Sequence, residues 1–566
     1  MNQFLKQQEM KTYPLLVFSI IFSLNINSQT QDYAKAQYLS TYYLGGQRCG
    51  DNDSWLHGAC HTTDGQAVNK DLTGGWHDCG DYIKFHVTSG YTALTYLYAY
   101  DKFPETYLDL YSPKMSAPPS NEIPDVLDEV KFQTDYLIRC VDGSTIYWEV
   151  GGKNDHNSFN EPVTNSEQKL YDGSNIRPVR SATEGHSNAF GDAAAALALM
   201  SILYEQYDSE YAQSCLTAAQ AYYTTGQINQ SATADYDVFA YEFLMNTESD
   251  DNMGMAAVML YRATGTASYL TEAKNYASDL PAWENFTYYS LHPILFLELY
   301  QISKNTTYLD NIKNLVSGFK NESCGYFHNV NWGSLRDAGN AALIAALYHQ
   351  ETSDETAYNF AKRNVDFILG DHGAILPDAP ANSSFLIGYD ELGGGYPQYP
   401  HNAAAFGKTT SDVWDLYSME KTNPGTIPFE YELVGGLAGG PGSPCGDFAD
   451  NIDDFMSGEY CGYYNAAFTG AVAYINKIEN NILAVNQTEF EDELIMYPNP
   501  SNKFTTIRGN ISGKKITVYN TLGKIMNQFS PTENRLTIQT ENYSTGVFFL
   551  KIKGTQNSKT LKLVKH

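Results

Sequence analysis

Apolar residues recur at three- and four-residue spacing in many separate segments between about Gln31 and Asn480. Examples are Val126 to Ile138, Ala193 to Tyr204, Met253 to Ala263, Ala338 to Tyr348, Asn359 to Leu369 and Ala466 to Ile478. That period belongs to helices packed on one side or more, so these segments predict a largely helical domain. Asp125 stands ahead of Val126 with Asp128 and Glu129 in the first turn, and Asp192 precedes an alanine-rich run, both start signals. The connections Asp371 to Pro400 and Gly435 to Asp450 are rich in Gly, Pro and Asn and longer than joining two helices requires, which points to loops that carry chemistry. From about Glu479 the pattern changes to short alternating runs, such as Lys515 to Tyr519 and Gly546 to Ile552, the signature of a small all-β module. From Met496 onward there are 11 Lys and Arg against Glu533 and Glu541, in a chain of net charge −29, so a domain boundary falls here.

Charge narrows the partners. A chain of 566 residues with this excess of carboxylates repels phosphate backbones and anionic lipid, which excludes nucleic acid and membrane surfaces as natural partners. The 44 Tyr and 27 Phe supply the flat, partly polar faces suited to neutral sugars. Near the N-terminus, Lys11 precedes an apolar run from Leu15 to Ile26, the length of a secretory h-region and too short to span a bilayer, so residues 1–28 read as a signal peptide with Met10 as an alternative start. No other segment reads as a membrane span. Export permits disulfides among Cys49, Cys60, Cys79, Cys140, Cys215, Cys324, Cys445 and Cys461, whose connectivity the spacing leaves open. None sits in a Cys-x-x-Cys pair, which argues against a structural zinc.

Two motifs carry reactive groups. Gly74-Gly-Trp-His-Asp78-Cys-Gly-Asp81-Tyr-Ile-Lys-Phe85 places two carboxylates three positions apart among glycines. Like charges aimed at one point persist where a cation, a proton or a polarised water lies between them, so the pair reads as a metal site or an oriented general base. Far along the chain, an acidic loop runs through Glu459-Tyr-Cys-Gly-Tyr-Tyr464 into an apolar helix. A carboxyl beside aromatic rings loses hydration and stays protonated, the requirement for a general acid.

Together these motifs resemble the family-nine glycoside hydrolases, inverting cellulases. The likeness continues through Ile123 to Lys131, Asp251 to Gly265, Trp332-Gly-Ser-Leu-Arg336, Ser384 to Gly388 with Pro400-His401, and Leu433 to Gly440. The tail resembles the C-terminal sorting domain of the type IX secretion system, through Tyr497-Pro-Asn-Pro500, Val518 to Lys524, Gly546 to Ile552 and Lys559 to Lys565. The expected organisation is a signal peptide at 1–28, an (α/α)6-barrel catalytic domain at 31–480, a linker at 481–495 and a small all-β sorting domain at 496–566.

The resemblance implies roles. Asp81 matches the general base, Asp78 its companion on the water, and Glu459 the general acid; inversion then requires the acid and base about 6.5–9.5 Å apart. Tyr464, His156, His401 and Trp332 match residues lining the substrate cleft. Asp251 matches one ligand of a structural calcium, although Asn252 stands where a glutamate is frequent; no organic cofactor is required. Asn402-Ala403 replaces a common His-Arg after His401, which removes a cation from the cleft. Cys79 replaces an alanine, with Cys49 or Cys60 in the preceding loop as its candidate partners. The implied activity is secreted endo-β-1,4-glucanase action by a monomer whose partners are a β-glucan and the type IX machinery. The alternatives are the same mechanism on xyloglucan, mixed-linkage glucan, glucomannan or a chitosan-type oligosaccharide, and a catalytically silent polysaccharide-binding protein.

Overall fold

The computed structural model describes residues 31–51, 54–109, 121–158, 160–230, 249–281, 284–372, 382–406, 432–446, 448, 450–452, 454–480, 495–497, 501, 503–509, 511–520, 524–544, 546–553 and 558–565. The expected signal peptide, nearly all of the expected linker, and Asp447 and Asp453 of the acidic loop lie outside them. Two compact units divide between residues 482 and 483.

Among the described residues, twelve longer helices build the first unit: α1 (Tyr33–Gly46), α2 (His86–Lys102), α3 (Asp125–Arg139), α4 (Ser187–Tyr204), α5 (Ser209–Gln227), α6 (Asp250–Thr264), α7 (Ala267–Tyr276), α8 (His292–Ser303), α9 (Thr306–Gly318), α10 (Ser334–Thr352), α11 (Glu355–Ile368) and α12 (Gly462–Glu479). The even-numbered helices form the inner ring of an (α/α)6 barrel. Helix α12 packs on α2, α2 on α4, α4 on α6, α6 on α8, and α10 back on α12, while α3, α5, α7, α9 and α11 lie outside against them.

Composition explains which helix goes where. Helix α4 (SNAFGDAAAALALMSILY) is buried on nearly every side, and its alanines let neighbours approach closely. Outer α9 buries only Ile312 and Leu315 and turns Lys, Asp and Asn to solvent. Inner α2 contains Thr and Tyr, weak helix formers, yet Thr92 and Thr95 donate their hydroxyls to the carbonyls of Thr88 and Tyr91 at 2.7 and 2.8 Å, which satisfies them inside the core.

Two expected start signals resolve differently. Helix α3 begins at Asp125 itself, after Pro124, with no side-chain cap. Helix α4 begins at Ser187, and Asp192 is an interior residue that accepts a hydrogen bond from Asn252 Nδ2 of α6 at 2.7 Å. Its polarity serves a helix–helix contact rather than a helix end.

A small sheet lies in the loops, with β1 (Lys84–Phe85) and β2 (Val141–Asp142) flanking β3 (Thr145–Val150), and β4 (Val179–Ala182) also paired to β3. The second unit holds two antiparallel sheets. One has the order β11 (Ser558–Lys565), β10 (Gly546–Lys553), β7 (Lys515–Asn520), β8 (Ile525–Phe529); the other is β5 (Ile495–Tyr497), β6 (Phe504–Arg508), β9 (Arg535–Gln539). Along β10, Phe548, Leu550 and Ile552 are buried while Phe549, Lys551 and Lys553 are exposed, the period of two that the sequence displays.

Candidate active site

The reactive side chains stand on segments that lead into inner helices. Asp78 and Asp81 precede α2, Trp332 precedes α10, and His401 and Glu459 precede α12, with Tyr464 in the first turn of α12. His156 sits on a short helix, Lys153–Asn157, in the connection from α3 to α4.

The Asp78–Asp81 loop is held from several directions. His77 N–H donates to Gln47 O at 2.8 Å and Asp78 N–H to Ile83 O at 3.1 Å. Gly74 and Gly75 have φ of +84° and +75°, and a Cβ on Gly75 would lie 2.7 Å from the Tyr136 ring. Those glycines therefore let the chain turn tightly over α3; crowding between the carboxylates is not what requires them. Behind the loop, buried Asp64 takes Lys84 Nζ and Arg177 Nη2 at 2.7 Å each, and Arg177 Nη1 donates to Tyr82 O at 2.6 Å. Arg177 also faces Asp155, beside His156, at 3.5 Å. Asp64, Lys84 and Arg177 are scattered through the chain, and no spacing signal announces this network.

Asp78, Asp81 and Glu459 are each partly buried. Asp78 accepts from Thr88 Oγ1. Burial, reinforced by the charges of Asp81 and Glu459 and opposed by that hydrogen bond, drives Asp78 well above the usual carboxylate range. Asp81 accepts Ile83 N–H on Oδ1 at 3.2 Å and faces His156 Nδ1 with Oδ2 at 2.8 Å. Burial alone would depress His156, but the hydrogen bond and charge of Asp81, with Glu459 behind, raise it.

Glu459 uses one oxygen for two partners: Oε2 accepts Trp332 Nε1–H at 2.8 Å and Tyr464 O–H at 2.9 Å. Among the described residues Oε1 has no hydrogen-bond partner and is free to face a substrate oxygen. Burial raises Glu459, and the two donors hold the rise down. Its backbone is clamped as well. Gly439 N–H donates to Glu459 O at 3.0 Å and Leu335 N–H to Gly439 O at 3.0 Å, tying the acid's strand to the start of α10. Gly435, in the same Leu433–Gly440 loop, has φ +83°, and a Cβ there would lie 1.7 Å from Leu39 O.

A disulfide joins the two halves of the site. Cys79 pairs with Cys461, across 382 residues of sequence, and not with Cys49 or Cys60. A carboxylate oxygen of Glu459 lies within 4.8 Å of both sulfurs, and Cys79 Sγ lies 3.3 Å from Asp78 Oδ2, so carboxyl oxygens of Glu459 and Asp78 lie no more than about 8 Å apart.

Aromatic groups flank the acid. Trp332 is 39% exposed and Phe455 44% exposed, with ring centroids 5.2 Å apart, and His401 lies 6.0 Å beyond Phe455. Phe455 is an addition that the sequence pattern did not single out. Tyr464 is fully buried, so it reaches the acid but presents no stacking face to a ligand. His401 is tied through Nδ1 to Ile452 O at 2.7 Å, and burial lowers its pKa. Asn402 is buried and donates to Cys79 O at 3.3 Å, so the position that lacks a cation supports the disulfide loop instead.

Two places bear on metal. Cys49, Cys60, His61 and His77 are buried with all four donor atoms within 4.8 Å of one another. The pairs Cys49 Sγ–His61 Nδ1 and Cys60 Sγ–His77 Nε2 are 3.7 Å apart and the two sulfurs 4.0 Å, close to the edges of a tetrahedron with Zn–S about 2.3 Å and Zn–N about 2.0 Å. Asn165 Oδ1, 2.9 Å from His61 Nε2, fixes the tautomer that turns Nδ1 to the cluster. The donor set fits a structural zinc, against the expectation from spacing, because folding gathers residues that no short motif groups. Asp251 is different. Oδ2 accepts Leu291 N–H and lies 3.5 Å from His292 Nε2, Oδ1 has no hydrogen-bond partner among the described residues, and Asn252 is turned toward Asp192. A calcium cage of six or more oxygens does not assemble from these residues.

Residues 33–472 match the family model for glycosyl hydrolase family 9, and residues 495–566 match a secretion system C-terminal sorting domain. The chain is 27% identical over 483 residues to endoglucanase A of Bacillus pumilus, covering 79% of this chain and 67% of that one. It is 28% identical to endoglucanase B of Cellulomonas fimi, covering 78% of this chain and 42% of that one. Among solved structures, the cellulase Cel9M of C. cellulolyticum in complex with cellobiose aligns with a TM-score of 0.66 and 28% identity, over 80% of this chain and 99% of that one. The endoglucanase of the termite Nasutitermes takasagoensis aligns with a TM-score of 0.66 and 25% identity, over 80% and 100%.

Proposed function

Because the chain belongs to glycosyl hydrolase family 9 and carries a secretion sorting tail, we propose that it is an exported endo-β-1,4-glucanase that cleaves cellulose or a related soluble β-glucan with inversion. The observation that carries this reading is the single carboxyl, Glu459, facing the Asp78–Asp81 pair across the disulfide. The relatives are named endoglucanases, and a structural neighbour has been solved in complex with cellobiose.

The chemistry follows from which group holds the proton. Glu459 is raised by burial and enters protonated, with Oε2 fixed by Trp332 and Tyr464 and Oε1 open to the glycosidic oxygen. Asp78 is driven toward its neutral form, and Asp81, held by His156 Nδ1 and Ile83 N–H, is the base. Asp81 draws a proton from water as that water attacks the anomeric carbon from the far side. Glu459 gives its proton to the departing oxygen, and the new hemiacetal is α. Trp332, Phe455 and His401 form the wall on which the sugars beyond the cleaved bond rest. His156 holds Asp81 until substrate arrives.

The test is hydrolysis of a panel of soluble β-glycans, including xyloglucan, mixed-linkage glucan, glucomannan and chitosan oligosaccharides, by wild type and Glu459→Gln. Cleavage by wild type alone supports the reading, and proton NMR should show the α anomer first. A wild type that cuts nothing, a fully active variant or an initial β product refutes it.

A further inference from the structure

The Cys79–Cys461 disulfide stands out because of what surrounds it. Cys79 lies between the two aspartates of the base loop, and Cys461 is two residues after the acid. The Cα atoms are 4.0 Å apart, and both residues are buried, at 6% and 0% exposure. Among the described residues the direct polar contacts between the base loop and the acid segment are light: Gly462 N–H to Asp78 O at 3.3 Å, and Asn402 Nδ2, beside the acid segment, to Cys79 O at 3.3 Å. Neither is a strong hydrogen bond. The segments also share an anchor at the end of α1: His77 N–H donates to Gln47 O at 2.8 Å, Gln47 Nε2 to Tyr43 Oη at 2.6 Å, and Tyr43 O–H to Tyr460 O at 2.9 Å, an indirect tie that leaves the side chains of Asp78 and Glu459 to the disulfide beside them.

We infer that this disulfide is a positioning element that sets the distance between acid and base, so that the oxidised state of one cysteine pair is a condition for full activity. The inference rests on the proposed hydrolytic function. An inverting site needs its two carboxyls held apart by one water and no more, and misplacement by about 1 Å costs on the order of 100-fold in rate. A covalent bond with one end beside Asp78 and the other beside Glu459 imposes that distance directly. The bond forms when the two thiols give up two protons and two electrons to the disulfide of an exported thiol oxidoreductase, which becomes a dithiol; glutathione disulfide serves the same part in an assay. Before export, with both thiols reduced, the acid and base segments are joined by hydrogen bonds alone, the two direct contacts and the indirect tie through Tyr43 and Gln47.

The experiment compares the full chain with Cys79→Ala/Cys461→Ala and, as control, Cys324→Ser/Cys445→Ser, which removes the other disulfide. Steady-state kinetics on a soluble β-glucan, thermal midpoints, and hydrogen exchange of peptides covering 77–85 and 456–464 are read for each. The expected result for the first variant is a kcat lower by about 10- to 100-fold with KM within about twofold, and faster exchange confined to those two peptides. The control lowers the midpoint and leaves kcat in place. A first variant with kcat within twofold of wild type overturns the inference, as does a loss in kcat that merely follows the midpoint in both variants. If wild type hydrolyses no glycan, the functional reading fails; exchange then decides the positioning role alone, and unchanged exchange in the two peptides overturns it.

Discussion

Removing the Tyr464 hydroxyl with Tyr464→Phe tests the acid assignment through the sign of a pH shift. The ring is fully buried and its O–H donates to Glu459 Oε2 at 2.9 Å, beside Trp332 Nε1 at 2.8 Å. Both donors favour the ionised carboxylate and restrain a pKa that burial raises. A hydrogen bond to a charged group contributes about 1.5–3 kcal/mol. Trp332 stays in place and Glu459 is only partly buried, so the low end applies, about 1.5 kcal/mol or a factor of just over ten. Losing a donor raises the acid, so it remains protonated to higher pH. The alkaline limb of kcat/KM therefore moves up by about one pH unit, while the acidic limb stays put. The assay is initial rate against pH on a soluble cello-oligosaccharide, with thermal midpoints to verify folding. A limb that does not move, or moves to lower pH, shows that the group bonded to Tyr464 is not the one whose proton the reaction uses.

Glu149 is buried; among the described residues neither oxygen is hydrogen-bonded, Arg180 Nε stands 3.5 Å from Oε2, and burial raises it to about 8, with Arg180 opposing and Asp155 and Asp81 adding to the rise. Between the unfolded pKa near about 4.3 and about 8, the folded state binds a proton the unfolded state lacks, so this group's stabilisation falls as pH rises through that window; Glu149→Gln should raise the thermal midpoint at pH 8 and leave it nearly unchanged at pH 4. Elemental analysis of protein purified without chelator should find about one zinc per chain, lost together with several degrees of thermal midpoint in His61→Ala; a metal-free wild type of equal stability would refute the site. Phe455→Ala should raise KM for longer oligosaccharides about three- to tenfold with kcat little changed, as loss of one aromatic stacking face requires, and an unchanged KM would remove Phe455 from the substrate wall. Truncation after Asn480 should leave kcat/KM within twofold, since the sorting tail is a separate compact unit; a large loss would show that the barrel depends on it.

Much of the architecture was legible before folding was considered. The alanine-rich run from Ala193 to Tyr204 reads as a helix, although its start at Ser187 and its inner position came only with the structure, and the two-residue alternation of Gly546 to Ile552 reads as a strand with one wet face. The carboxylates of the site were legible too, since an Asp pair among glycines and a Glu at an aromatic helix entry differ from ordinary surface acids. Tertiary structure decided what distance along the chain conceals. It chose Cys461 for Cys79, assembled Cys49, Cys60, His61 and His77 into one cluster, placed Phe455 beside Trp332, and set Arg177 behind the base loop. The physical reason is that periodicity reports which face of a segment is buried, a local property. Which buried groups meet depends on how twelve helices close into a ring, and contacts spanning hundreds of residues leave no trace in spacing.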